Sequence, residues 1–164
     1  MKWALPVVAL AAVAVAGCGG GGGGGGTPLS KAEFIKRGDA ICAKYRAKNE
    51  KLQAKAPVKS PTDPSATDEQ VKASGPILAT LAANLRAAHG EFTQLTPPTD
   101  IANDWNNTLD DIDQLASKLD TAAGAAKRVD RQRVVNEYNG ILLLNHRIST
   151  FETDYGFKVC GNQG

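Results

Sequence analysis

Two histidines and three cysteines are the side chains of this sequence best suited to catalysis or metal binding, and the spacing of the histidines argues against both. Di-iron sites in helical bundles need a glutamate three residues before each histidine. Here Arg86 precedes His89 and Leu143 precedes His146. The sequence also lacks the motifs of haem attachment, serine nucleophile elbows, phosphate-binding loops and zinc proteases. We therefore expect no enzyme, with no catalytic residue, metal ligand or cofactor-binding residue.

One polar residue, Asn145, interrupts an apolar helical stripe between Ile141 and Ile148. A buried amide in such a position can fix the register of packed helices. It can also provide a polar contact in a small-ligand cavity, which Trp105 and Tyr138 would then line. The second interpretation defines a candidate ligand site of Asn145, Trp105 and Tyr138, and the sequence leaves both interpretations open.

The charges nearly cancel over the whole chain but are unevenly distributed. The net charge is +2, which gives no strong indication of nucleic-acid binding. Residues 31–59 contain nine basic and three acidic side chains, whereas residues 100–120 contain six acidic and one basic. These segments could be two helix faces that attract each other within the domain. Alternatively, the basic segment could face anionic lipid headgroups.

The residues after the glycine run have the periodicity of amphipathic helices. A capping box at Ser30–Glu33 predicts the start of a first helix, which ends near Lys55. A loop rich in proline follows, and Thr67–Gln70 is a second capping box. Gly75–Pro76 predicts a break or kink early in the second helix, which ends before Pro97–Pro98.

Two further helices complete the predicted domain. The third is capped by Thr99 or Asp100, and the small residues of Thr121–Arg128 predict a connection after it. The fourth begins at Asp130 and ends at Gly156, a good left-handed C-cap. Its predicted core face comprises Val134, Val135, Tyr138, Ile141, Leu142, Ile148, Phe151 and Tyr155. With no strand signal, the predicted fold is all-α, an antiparallel (up-down-up-down) four-helix bundle.

The first 17 residues have the three parts of a secretory signal peptide. Lys2 provides a positive charge, an uncharged apolar run spans Trp3–Ala16, and small residues precede a candidate cleavage site. The apolar run is short for a membrane-spanning helix, which needs roughly 20 residues. We therefore expect residues 1–17 to be removed during export.

The segment Val15-Ala16-Gly17-Cys18 resembles the lipobox of bacterial prolipoproteins. In that family the cysteine receives a diacylglycerol and becomes the first residue of the mature protein. The resemblance implies that Cys18 is lipidated and anchors the protein at the outer face of the cytoplasmic membrane, because two acyl chains suffice for stable anchoring. Gly19–Gly26 would make residues 18–29 a disordered, flexible tether spanning roughly 20 Å, followed by a bundle domain at residues 30–164.

With Cys18 lipidated, Cys42 and Cys160 are the cysteines that remain. Exported proteins lie in oxidising compartments, where disulfides form and persist. We therefore expect a Cys42–Cys160 disulfide that joins the chain after the fourth helix to the first helix.

The segment after the tether resembles a group of small exported proteins of high-GC Gram-positive, actinobacterial-type bacteria. The residues that carry the resemblance are 29–35 (LSKAEFI), 39–42 (DAIC), 95–98 (LTPP) and 155–161 (YGFKVCG). The resemblance implies a helical lipoprotein closed by one disulfide. It assigns no functional residue.

These features together favour a non-enzymatic, lipid-anchored binding module of the cell envelope. Its partner would be an envelope protein or a cell-wall polymer, in addition to the membrane, and not a nucleic acid. A small-molecule-binding or sensory bundle is the alternative function, and an enzyme without a recognisable motif is the second alternative.

Overall fold

The computed structural model describes residues 26–57 and 59–161. The predicted signal peptide, Cys18 and most of the glycine run lie outside the described residues. The described residues form four α-helices and contain no strand, which confirms the all-α prediction. The helices are α1 (Lys31–Gln53), α2 (Asp68–Phe92), α3 (Ala102–Lys127) and α4 (Arg131–Tyr155), and a short 3₁₀ helix, Thr99–Ile101, precedes α3.

Local hydrogen bonds start α1 and α2, and a glycine ends α4, where the sequence predicts. The predicted cap of the third helix at Thr99 or Asp100 is wrong, because Thr99–Ile101 forms a 3₁₀ helix and α3 begins at Ala102 without a side-chain cap. The Ser30 hydroxyl accepts the backbone N–H of Glu33, which begins α1. Thr67 and Gln70 form a reciprocal capping box at the start of α2. Gly156 ends α4 with φ of 105°, a left-handed conformation that glycine adopts without steric cost. These helix termini are therefore encoded by short-range interactions.

The predicted break at Gly75–Pro76 is wrong, because α2 is continuous through Pro76. Gly75 is buried, and a Cβ atom placed on it would lie 3.1 Å from the Ala123 carbonyl oxygen of α3. Glycine thus allows the two helices to approach closely. We attribute the continuity of α2 to this packing, which offsets the hydrogen bond lost at the proline.

The predicted connection at Thr121–Arg128 is also wrong, because α3 continues to Lys127. The four alanines of this segment, at positions 122, 123, 125 and 126, are fully or almost fully buried and pack against residues of α2 and α4, including Val71 and Val134. Alanine has the highest helix propensity of all residues. The small side chains therefore form a close helix interface, and the turn to α4 is confined to Arg128–Asp130.

Two apolar clusters form the core of the part of the chain that the structure describes. The first is aromatic and comprises Phe34, Phe92, Trp105, Tyr155 and Phe157 among its members. The rings of Phe34 and Trp105 meet edge to face with their centroids 4.9 Å apart, a favourable geometry for aromatic pairs. The second cluster is rich in alanine and lies where the second half of α3 packs between α2 and α4.

Leu142 is not on the core face of α4, in contrast to the prediction. Its side chain is 63% exposed, and that of Leu143 is 60% exposed. The nearest buried positions of α4 are Leu144 and Ile148, which are four residues apart and therefore share one helix face. Leu142 is one residue from Ile141, so it points about 100° away around the helix.

Gly38 of α1 packs closely against the Phe157 ring of the aromatic cluster, and a substitution at Gly38 tests this packing. A Cβ atom at Gly38 would lie 2.4 Å from Phe157 Cε1 in the aromatic cluster. We expect Gly38→Ala to lower the free energy of unfolding by about 1–3 kcal/mol, the usual cost of overpacking. Gly90 of α2 is the matched control, since a Cβ there meets nothing within 4 Å. Gly90→Ala should stabilise by about 0.5–1 kcal/mol through helix propensity.

Urea denaturation of the two variants and the wild type measures both effects. Both substitutions add one methyl group to a helical glycine. Opposite signs of the two changes in the free energy of unfolding therefore separate helix propensity from tertiary packing. A Gly38→Ala variant as stable as Gly90→Ala would show that the approach of Phe157 to α1 is not close.

None of the helices in the described part of the chain combines the length and apolar character needed to span a membrane.

The acidic segment of α3 uses partners other than the basic α1. Asp111 pairs with Arg147 of α4, and Asp120 pairs with Arg86 of α2. On α1, Lys44 pairs with Glu91 of α2. These three ion pairs connect consecutive helices. Arg131 and Asp68 form a further pair between the starts of α4 and α2, and the pairs of Glu33 lie within α1.

Candidate functional site

The three residues of the predicted ligand cavity lie in different surroundings. Trp105 is 3% exposed and belongs to the aromatic cluster. Tyr138 packs against the alanine-rich cluster, and burial raises the pKa of its hydroxyl. Asn145 is half-buried on α4. None of the three lines either of the two surface grooves of α3 and α4 described below.

The predicted pairing of Cys42 and Cys160 is confirmed. Their sulfur atoms lie 2.05 Å apart and their Cα atoms 5.3 Å apart, at bonding distance for a disulfide. Cys42 is half-buried on α1, and Cys160 is buried in the segment 156–161, which we call the tail. The tail turns back from the end of α4 and lies against α1, as the sequence predicts.

Asp39 of α1 holds the tail independently of the disulfide. Its carboxylate accepts the backbone N–H groups of Lys158, Val159 and Cys160 at 2.8–3.1 Å. Arg46, also on α1, donates a hydrogen bond to the carbonyl oxygen of Val159. Charge-assisted hydrogen bonds are stronger than neutral ones. The tail is therefore fixed by polar contacts as well as by the covalent link.

A buried carboxyl group, Glu152 of α4, lies beside the disulfide. It is 6% exposed, and its Oε2 atom has no hydrogen-bond partner among the described residues. Burial raises the pKa of Glu152 to about 7, and the negative charge of Asp39 adds to this rise while Arg46 opposes it. Near neutral pH this carboxyl group therefore exchanges a proton next to two sulfur atoms.

A groove of about 570 Å³ lies between the start of α3 and the end of α4. We call it the α3–α4 groove. The side chains of Ile101, Phe151 and Tyr155 provide apolar surface, and polar side chains surround them. The polar lining residues are Asp104, His146, Arg147, Thr150 and Asp154.

The carboxylates of the α3–α4 groove are available for an external partner. Asp104 and Asp154 are exposed, and neither has an ion-pair partner among the described residues. Arg147, by contrast, is paired: its Nε lies 2.8 Å from Oδ2 of Asp111. The unbalanced charge of the groove is therefore negative.

Tyr155 connects the α3–α4 groove to the aromatic cluster. Its hydroxyl is buried with no hydrogen-bond partner among the described residues. Burial, and secondarily the charge of Asp100, raises the pKa of this hydroxyl. The Lys31 ammonium lies 4.4 Å from the centre of the Tyr155 ring, within the range of a cation–π contact. The Tyr155 ring, which also lines the α3–α4 groove, therefore binds a cationic side chain of the protein itself.

A second, smaller groove of about 400 Å³ is lined mainly by polar groups. It includes the Asp111–Arg147 ion pair, with Asn107, Asp110 and Gln114 on α3. Its charged residues partly satisfy each other, and it offers little apolar surface. It is therefore a weaker candidate for a binding site than the α3–α4 groove.

Sequence reasoning did not find Glu152 or the two groove carboxylates. A signal for Glu152 was present, because it lies four residues after Ile148 and three before Tyr155, on the apolar stripe of α4. A carboxylate in such a stripe indicates a buried ionisable group. Asp104 and Asp154 carried no comparable signal, since exposed aspartates are common on helices.

Compared with known proteins, the chain matches no family model, no curated protein sequence and no solved structure.

Proposed function

We propose that this protein is a non-enzymatic, lipid-anchored binding module of the bacterial cell envelope, and that it binds its partner in the α3–α4 groove. The observation that carries the proposal is the combination of solvent-accessible apolar surface with two unpaired carboxylates, Asp104 and Asp154. Apolar surface with a few convergent polar groups is typical of ligand sites. The lipobox resemblance at Cys18 supports the anchoring.

The chemistry of the groove favours a protein segment that carries basic and apolar side chains. Asp104 and Asp154 would bind the basic groups, and Phe151 and Tyr155 would contact the apolar ones. Complementary charge accelerates association and sets orientation more than it adds affinity. An anionic cell-wall polymer is less favoured, because the unpaired charges of the groove are negative.

The up-down-up-down arrangement is part of this proposal. It is supported by contacts in which residue numbers rise along one helix and fall along its neighbour, or in which the end of one helix meets the start of the next. These contacts are Tyr45–Glu91 and Asn49–Asn84 between α1 and α2, Phe92–Trp105 between α2 and α3, and Asp111–Arg147 and Lys118–Glu137 between α3 and α4.

In this arrangement the α3–α4 groove lies at the end of the bundle that carries the tether. Phe34, near the start of α1, contacts Trp105 near the start of α3 and Tyr155 at the end of α4. The Leu29 N–H also donates to the carbonyl oxygen of Thr96, just before α3. The proposed partner would therefore be bound close to the membrane, within the reach of the tether.

Crosslinking in living cells tests the groove. A photo-crosslinking amino acid replaces Thr150, which lines the groove, and in a matched strain it replaces Thr80 of α2. Both threonines are exposed, and each donates its hydroxyl to the backbone carbonyl four residues earlier. We expect a protein to be captured from position 150 and not from position 80.

The double substitution Asp104→Asn with Asp154→Asn should reduce this capture at least tenfold, because it removes the unpaired negative charge of the groove. Asp113→Asn removes an exposed carboxylate of α3 that does not line the groove, and it should leave capture unchanged. Equal capture from positions 150 and 80 would refute the groove as the binding site. Capture of a polysaccharide would assign the partner to the cell wall instead.

Lipid anchoring predicts a separate result. Cys18→Ser should move the protein from the membrane fraction to the soluble fraction, because it removes the site of both acyl chains. Cell fractionation followed by detergent phase partition measures this distribution. Cys42→Ser is the control and should remain with the membrane. A Cys18→Ser protein that still partitions into detergent would rule out the anchor.

A further inference from the structure

The cluster formed by Cys42, Cys160 and Glu152 contains three potential metal ligands. The two sulfur atoms and a carboxylate oxygen of Glu152 all lie within 4.8 Å of one another. The Oε2 atom of Glu152 is buried and has no hydrogen-bond partner among the described residues. Burying an unpaired polar group is costly. The disulfide alone does not explain why an unpaired carboxyl oxygen is buried beside the two cysteines.

The contacts of the tail would keep the two cysteines adjacent after the disulfide is opened. Asp39 accepts three backbone N–H groups of residues 158–160. Phe157 is buried in the aromatic cluster, where its ring packs 5.8 Å from that of Phe34, measured between centroids. These interactions do not involve the sulfur atoms. Reduction therefore leaves two thiols and a carboxyl group close together, with Cys160 and Glu152 buried and Cys42 half-buried.

We propose that reduction of the disulfide converts Cys42, Cys160 and Glu152 into a binding site for Zn²⁺. Zinc binds thiolate sulfur at about 2.3 Å and carboxylate oxygen at about 2.0–2.2 Å, in a tetrahedral arrangement. Two sulfurs on one zinc ion are about 3.8 Å apart by this geometry, so reduction must let them separate. The Cα atoms of the two cysteines, 5.3 Å apart, allow this by side-chain rotation. A water molecule would complete the four ligands.

The ligand types of the cluster favour a thiophilic divalent cation over Mg²⁺ or Ca²⁺. Those two cations prefer oxygen ligands and larger coordination numbers, whereas thiolates select zinc and similar metals. The carboxylate of Asp39 lies close enough to influence the Glu152 carboxyl, and so does the Arg46 guanidinium. With both thiolates, Glu152, Asp39 and Arg46 charged, a divalent cation leaves the cluster with one net negative charge.

The chemical step is balanced by an external reductant, a dithiol or a phosphine. The disulfide accepts two electrons and two protons and yields two thiols. A dithiol is oxidised to its own disulfide in this step, whereas a phosphine takes the oxygen atom of a water molecule and becomes a phosphine oxide. Binding of Zn²⁺ then releases both thiol protons to solvent, together with the carboxyl proton where Glu152 is protonated. Exchange with an external disulfide, which accepts two electrons and is reduced to two thiols, re-forms the Cys42–Cys160 bond and releases the metal. The oxidation state of Cys42 and Cys160 would thus determine whether they form a disulfide or a metal site.

Metal titration of the full chain tests the proposal. The protein is reduced with a phosphine, and the phosphine is then removed under anaerobic conditions. The reduced protein is titrated with Co²⁺ as a spectroscopic probe and then with Zn²⁺. We expect one Co²⁺ per chain, with thiolate-to-cobalt charge-transfer absorption that Zn²⁺ abolishes. The oxidised protein should show none. Far-UV circular dichroism of the reduced protein should retain the helical signal.

Two matched variants identify the carboxylate ligand. Glu152→Gln should weaken Co²⁺ binding at least tenfold, and Glu50→Gln, which changes an exposed glutamate of α1, should bind as the wild type does. Absence of the charge-transfer band in the reduced wild type would overturn the proposal. So would loss of helicity on reduction, or equal Co²⁺ affinity of Glu152→Gln and the wild type.

Discussion

Replacing both Cys42 and Cys160 by serine should lower the free energy of unfolding by about 4 kcal/mol. The disulfide spans 118 positions of sequence, so it removes much of the conformational freedom of the unfolded chain. The chain-entropy relation gives about 5 kcal/mol for a loop of this length, and native disulfides are usually worth about 2–5 kcal/mol. Equilibrium denaturation in urea, monitored by circular dichroism, measures the difference.

The reduced wild-type protein is the control for this substitution. It retains the cysteine side chains but lacks the covalent link, so in the absence of metal it should unfold at about the same urea concentration as the double variant. Asp39 and Phe157 should still hold the tail in the folded state of both proteins. A double variant that unfolds at the same urea concentration as the oxidised wild type would show that the link contributes nothing to stability.

Raising the pH from about 4.5 to above 7 should destabilise the oxidised, metal-free protein by about 3 kcal/mol through Glu152. The pKa of its carboxyl group rises from an ordinary value of 4.5 to about 7 on folding, chiefly because of burial. Between these values the folded protein holds a proton that the unfolded chain has lost. Stability therefore falls as pH rises through this interval, by about 1.4 kcal/mol for each unit of pKa shift.

Glu152→Gln isolates this effect from all other titrations. Glutamine is close in shape to the protonated carboxyl group and has no charge to bury. Urea denaturation of both proteins across pH 4–8 gives the difference in their free energies of unfolding. We expect the wild type to lose stability relative to the variant as pH rises, with Asp39 increasing and Arg46 reducing the loss. A difference that does not change with pH would contradict a buried carboxyl group at this position.

Short-range interactions explain the helix termini that the sequence predicted correctly. Ser30 and Thr67 satisfy N–H groups within three residues of themselves, and Gly156 adopts a left-handed conformation in the adjoining turn. These preferences depend on neighbouring residues alone. The same reasoning failed at Pro76 and in Thr121–Arg128, because there the outcome depends on the approach of another helix.

The surface and the buried charges were harder to predict than the helices. The apolar residues of α4 gave the correct period, but Leu142 was assigned to the wrong side of the stripe. The apolar stripe of α4 is wide enough that two neighbouring faces of the helix fit the apolar residues, and contact with α3 determines which face is buried. Glu152 then occupies a position on the buried face that a hydrophobic pattern does not mark.

The sequence by itself determined the helical class, the caps of α1, α2 and α4, and the pairing of Cys42 with Cys160. Only the tertiary structure decided that Glu152 lies beside that disulfide, and that Asp104 and Asp154 border one groove. Caps depend on hydrogen bonds spanning three or four residues, and the pairing followed because Cys42 and Cys160 are the two cysteines outside the segment that resembles a lipobox. The position of Glu152 and the groove depend on packing between segments distant in sequence, where burial and mutual approach outweigh local preference.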